Sequence, residues 1–167
     1  MELLLEVKDK EIPAEKTYQT RDAARAVLFD ENNLVPLLRN SKNNYHKIPG
    51  GGIDGGENQE QALAREVLEE VGSTFEITGE VGKIIEYKSE MNELQTSYCY
   101  LGKIISKGLG TNFTENEIND GFQIIWLPLE KAISTIKNDK PTNYEGSFIQ
   151  KRDLRFLQKA QELINEN

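Results

Sequence analysis

Apolar strand-like runs bounded by polar turns alternate along this chain with stretches of helical period. Residues 3–7 read as a short strand. Residues 23–29 and 34–39 read as a hairpin around the polar turn Asp30-Glu31-Asn32-Asn33. Pro36 cannot donate to a ladder, so the second of these strands is expected to be an edge or bulged there. Residues 75–87 and 95–105 read as long strands interrupted by Gly79, Gly82 and Gly102, and 124–127 as a strand that stops at Pro128. The period changes to that of a helix in three places: 58–71, 130–137 and about 146–165, the last with Leu154, Leu157 and Ile164 inward. No repeat and no low-complexity linker interrupts the series.

The helix at 58–71 has the clearest local signals. Asn58 is placed to cap it, Gln61 completes a variant capping box, and Gly72 fits its end. With ~100° per residue, Glu66, Glu69 and Glu70 share one side, while Leu63, Ala64, Val67, Leu68 and Val71 occupy another arc. Glutamates at such spacings repel one another unless water or a cation offsets them. Just upstream, five of the seven residues 50–56 are glycines. Glycine permits positive φ and close approach of backbone to a ligand, so a loop of this kind before a helix can present amides to a phosphate. The spacing matches neither a P-loop nor a dinucleotide fingerprint.

Composition narrows the chemistry. Oxygen donors at this density suit Mg²⁺ or Mn²⁺. One Cys (Cys99) and one His (His46) make no zinc site. A chain of 167 residues is expected to form one domain with a real core. A net charge of −8 argues against a stable nucleic-acid partner or an anionic membrane. Residues 1–7 lack a basic leader and no stretch approaches a membrane span, so the expected location is cytoplasmic, in keeping with the single Cys. Cys99, in an apolar strand, reads as a core residue.

The segment from Gly51 to Gly72 resembles the signature of the Nudix hydrolases, G-x5-E-x7-R-E-U-x-E-E-x-G-U, where U is a bulky aliphatic residue. Gly51, Glu57, Arg65, Glu66, Val67, Glu69, Glu70 and Gly72 fall on its specified positions; Ser73 departs from the last, and Thr74-Phe75 are expected to supply that packing. The resemblance implies an α/β fold, a mixed sheet sandwiched between helices, over a single domain 1–167 with its motif loop and helix at 50–73. It implies Glu66, Glu70 and Glu69 as ligands of Mg²⁺ or Mn²⁺, with the carbonyl of Gly50. It implies Glu69 or a loop acid, Glu117 ahead of Glu115, as the base. Glu57 and Arg65 are expected to hold the loop and helix as much as to act in catalysis. For substrate, it implies Gly51 and Gly52 at the phosphates, Arg39 at the end of its strand reaching a phosphate, and His46 or Tyr45 stacking on a base. Arg25 reads equally as pocket-facing or outward. The implied reaction is attack of water on phosphorus in a nucleoside diphosphate linked to another moiety; relatives are often homodimers. The same fold also carries isoprenoid diphosphate isomerisation, which needs a cysteine–glutamate pair, and non-catalytic ligand sensors with eroded glutamates.

Overall fold

The computed structural model describes residues 1–11 and 16–166. Five strands form a mixed sheet in the order β1-β6-β7-β2-β5, from β1 (Leu3–Lys8), β2 (Gln19–Phe29), β5 (Gly50–Gly52), β6 (Thr74–Lys88) and β7 (Glu93–Ser106). The pairs β1·β6 and β2·β7 are parallel, and β6·β7 and β2·β5 antiparallel. A second, antiparallel sheet runs β4-β3-β8, from β3 (Leu34–Asn40), β4 (Tyr45–Lys47) and β8 (Phe122–Pro128). Among the described residues four helices complete the fold: α1 (Gln59–Val71), α2 (Glu115–Asn119), α3 (Leu129–Asn138) and α4 (Tyr144–Asn165).

The hairpin expected at 23–39 does not form. β2 takes β7 and β5 as neighbours while β3 crosses to β4 and β8. The turn is nonetheless well made: Asp30 Oδ1 accepts from Asn32 N and Leu34 N, and Asn33 takes a left-handed φ of 58°. Pairing beyond the turn is decided by strands far away in sequence. Pro36 pairs with Trp126 on one side, and β4 covers only Leu38–Asn40 on the other, so the chain is an edge where the proline sits. In the β6·β7 ladder the register shifts at Gly79 and Gly82, whereas Gly102 pairs in register with Ile77.

Alternation along β2 divides the core. Ala24, Ala26 and Leu28 face Leu63, Val67 and Val71 of α1, with Phe75 packed alongside. Val27 faces the other way, into a cluster with Cys99, Phe148, Phe156 and Leu157, where α4 covers the opposite face of the sheet. Cys99 is a buried core residue, and burial pushes its thiol well up. Ser73 is buried with its hydroxyl on Val71 O, and Phe75 supplies the apolar packing two residues later. Ile164, expected inward, is exposed near the end of α4.

Candidate functional site

The site is built where β5 meets α1. Three consecutive glycines pair with Ala23–Arg25 as an edge strand, so the glycine segment is part strand, and the open turn begins only at Ile53. Gly50 has φ 129°, outside the range of L side chains, and a Cβ there would overlap the backbone of Ala24. At Gly51 the reason is proximity: a Cβ would overlap the Glu66 carboxylate. At Gly52 a Cβ would crowd the Arg21 guanidinium.

Helix α1 forms as its local signals dictate. Asn58 Oδ1 accepts from Gln61 N at 2.8 Å, Gln61 Oε1 accepts from Asn58 N at 3.0 Å, and Gly72 closes the helix at φ 62°. The face it buries differs from the expected one. Ala64 and Leu68 are exposed, while Glu70 is only 2% exposed and is buried in the same arc as Leu63, Val67 and Val71. An acidic stripe turned inward is costly unless it is compensated. Two cations do this. Lys47 Nζ lies 2.6 Å from Glu70 Oε1, and Gly50 N donates to Glu70 Oε2 at 2.8 Å. Burial raises the Glu70 carboxyl, with Lys47 and the Gly50 amide pulling the other way.

Arg65 is the second cation. Its Nε and Nη2 donate to Glu57 Oε1 and Oε2 at 2.7 and 2.9 Å, its Nη1 to Glu66 Oε1 at 2.7 Å, and its Nη2 to Gly52 O at 3.2 Å. One planar fork thus joins turn, helix and strand. It holds Glu57 down to about 2, first through the hydrogen bonds from Arg65 and then through the Asp54 amide that Glu57 caps. Glu69 is part-exposed, with Arg65 Nη1 at 3.9 Å. The carbonyl of Gly50 accepts from Arg25, whose side chain points inward and is 6% exposed.

Fold and motif therefore bring Glu57, Arg65, Glu66, Glu69, Glu70 and the three glycines together. Arg39, His46 and Glu117 are set apart. Arg39 pairs with His46 and Gln123, and lies on the face of β3 that carries Val35 and Leu37 toward α3 and α4; Lys47 lies on the other face. His46 is committed to Asp139, which accepts from its amide at 2.7 Å and lies 2.8 Å from its Nδ1. Glu117 is a helix cap: its Oε2 accepts from Thr114 N at 2.8 Å, and Thr114 Oγ1 accepts from Glu117 N at 3.3 Å. Tyr45 is buried on the Lys47 side of β4, with Gly146 of α4 against its ring. Lys47 and Arg152 were not among the expected site residues, and Arg25, read as pocket-facing or outward, turns inward. The signal for Arg25 is its place inside the apolar run of β2, and for Arg152 its place midway between Phe148 and Phe156 on the buried stripe of α4; Lys47 carries none.

The donors near β5 are all oxygens, carboxylate or carbonyl, and fit Mg²⁺ or Mn²⁺ rather than a thiophilic ion. The space Gly51 leaves beside Glu66 suits the same reading. Among the described residues no three acidic, histidine or cysteine side chains converge as a ready metal cage; Lys47 and Arg65 engage the carboxylates instead. Among the described residues no helix is long and apolar enough to cross a membrane.

Comparison with known proteins gives the same picture. A family model described as NUDIX domain matches residues 19–147. Diphosphoinositol polyphosphate phosphohydrolase 2 of Rattus norvegicus is 28% identical over 129 residues, covering 77% of this chain and 68% of that one. An RNA pyrophosphohydrolase of Campylobacter jejuni is 41% identical over 96 residues, covering 56% of this chain and 55% of that one, so the match spans about half of that relative's length. A NUDIX hydrolase structure from Nitrosomonas europaea superposes with TM-score 0.63 at 14% identity, over 86% of this chain and 90% of the other; at that identity the likeness is one of fold.

Proposed function

Because this chain belongs to the NUDIX hydrolase family, we propose that it is a metal-dependent pyrophosphohydrolase, cleaving a phosphoanhydride bond in a nucleoside diphosphate linked to another moiety. In this reading residues 1–167 form one hydrolase domain. The observation that carries the reading is the inward turn of α1, which sets Glu66 and the buried Glu70 against β5. An ordinary surface helix would leave such a stripe in water.

In this reading Glu66, Glu69 and Glu70, with the Gly50 carbonyl, hold Mg²⁺ or Mn²⁺. When bound, the metal supplies charge neutralisation on the diphosphate and a lowered pKa for the attacking water. The rest falls to the chain. Gly51 and Gly52 let the diphosphate approach the backbone. Arg65 keeps Glu57, Glu66 and Gly52 in one fixed frame. Lys47 and Arg65 limit repulsion among the carboxylates before substrate arrives. Glu69, the most exposed of the three helix glutamates on the site, is the one free to take a proton from water, a step worth ~10²–10⁴-fold. Glu117, tied into its cap, is the weaker choice.

The test is a panel of nucleoside di- and triphosphates, dinucleoside polyphosphates, nucleotide sugars and triphosphorylated RNA ends, each with Mg²⁺ or Mn²⁺. Products are identified by mass and the attacked phosphorus by ¹⁸O from labelled water. Metal-dependent release of two phosphorylated products carrying one ¹⁸O is expected; no turnover of any diphosphate under either metal rejects the reading.

A further inference from the structure

A cavity of about 180 Å³ is lined by residues of β2, β4, β6, β7, β8 and α4, Lys47 among them. Its lining carries Arg21, Arg25, Lys47, Lys88 and Arg152 against a single carboxylate, the exposed Glu145. That concentration of cations stands out in a chain of net charge −8. The carboxylates that pair with them do not line the cavity. Glu86 and Asp153 hold Arg152, Glu93 holds Lys88, and Glu70 holds Lys47.

Among the described residues, two guanidinium nitrogens there are buried and without a partner, Arg25 Nε and Arg152 Nη2, in residues 6% and 1% exposed; Glu86 Oε1, on the carboxylate that pairs with Arg152, is likewise unpartnered. Such donors are rarely left unpaired. Both arginine side chains line the same cavity, two buried like charges held close together. An anion between them would relieve both deficits, and paired guanidinium edges suit a phosphate's oxygens. The cavity is below the ~300–1,000 Å³ of sites that take a whole drug-sized ligand, and it suits one tetrahedral group.

The cavity also adjoins the candidate metal site through two residues. Arg25 donates to the Gly50 carbonyl, and Lys47 pairs with Glu70. We propose that this cavity is a phosphoryl subsite, taking a phosphate group that the substrate carries beyond its scissile diphosphate. The assignment to substrate rests on the hydrolase reading above; the anion site itself rests on the unpaired guanidinium nitrogens.

The first experiment titrates inorganic phosphate into the metal-free protein and follows arginine Nε–H signals by NMR. Saturable shifts of the Arg25 and Arg152 signals are expected. Binding should weaken at least ~10-fold in Arg25→Lys, which keeps charge but loses the fork, and about threefold in Arg21→Gln, at the mouth, with a side chain 46% exposed that is free to change without loss of fold. Unmoved arginine signals, or binding unchanged in both variants, overturn the site.

The second compares two diphosphate substrates that differ only in a distal phosphate monoester. Wild type should prefer the phosphorylated one at least ~10-fold, through KM, and Arg21→Gln should reduce that preference. Phosphate binding with no preference between the pair assigns the cavity to free phosphate and overturns its substrate role. Hydrolysis of both substrates with unmoved arginine signals overturns the subsite and leaves the hydrolase reading standing. Arginine shifts without hydrolysis keep the anion site and overturn the hydrolase reading.

Discussion

Lys47 on β4 and Glu70 on α1 stand 2.6 Å apart, so an ammonium from one sheet already meets the most buried carboxylate of the helix packed on the other. Removing one partner of such a pair leaves an uncompensated charge. Lys47→Met should cost about 3 kcal/mol of metal-free stability by denaturant unfolding, the low end for this kind of loss because the Gly50 amide still bonds Glu70. Added Mn²⁺ should then raise the melting temperature of the variant more than that of wild type. An equal rise in both would show that Lys47 and metal do not compete for Glu70.

Glu66→Gln and Glu70→Gln should each lower turnover by at least ~100-fold while near- and far-ultraviolet circular dichroism keep their wild-type shapes. Glu69→Gln should fall in the same range. Glu117→Gln, which touches only the α2 cap, should stay within about tenfold of wild type. Wild-type rates in Glu70→Gln would refute the ligand assignment, and a hundredfold loss in Glu117→Gln would move the base to α2.

Gly51→Ala tests the fit of strand against helix. Its φ is unexceptional and tolerates a side chain, but the added methyl would overlap the Glu66 carboxylate. Displacement of that group by about an ångström should lower kcat by roughly 100-fold with little change in melting temperature. A variant of full activity would show that Glu66 can be repositioned at no cost.

Acid should loosen the turn before the core. Glu57 falls from 4.5 to about 2 in the folded protein. A lowered carboxyl contributes stability that is present above its unfolded value and is lost as pH falls through the folded one. Wild-type melting temperature should therefore decline between pH 4.5 and about 2, and Glu57→Gln should flatten part of that decline. Parallel curves for the two proteins would remove Glu57 from the acid response.

Much of this was legible in the residues. The capping box, the period and Gly72 fix α1 within a residue, because those signals act inside one helix. What they do not reveal is the direction in which the helix faces. Periodicity assigned Ala64 and Leu68 to the core, yet the helix buries Glu70, since its partners Lys47 and Gly50 come from strands more than a turn's reach away in sequence. The same limit undid the hairpin at 23–39: the turn at Asp30 is local, but β7 and β8, which claim the two strands, are not. Register also decides the face of Arg39, which it sends with Val35 and Leu37, and register is not legible within one strand. For His46 the missing piece was Asp139, well downstream beyond α3. Ser73 was the opposite case: its departure from the motif was absorbed locally, by Phe75, as the sequence allows.

Asp153 of α4 accepts from the amide of Ile48 at 2.9 Å, two residues before Gly50. Helix α4 thus anchors the peptide that leads into the glycine strand β5. A chain that has emerged from the ribosome only as far as α3 carries the glycines and glutamates of the proposed site but lacks the tether that aligns them. Alignment of those groups therefore waits on a helix made long after α1.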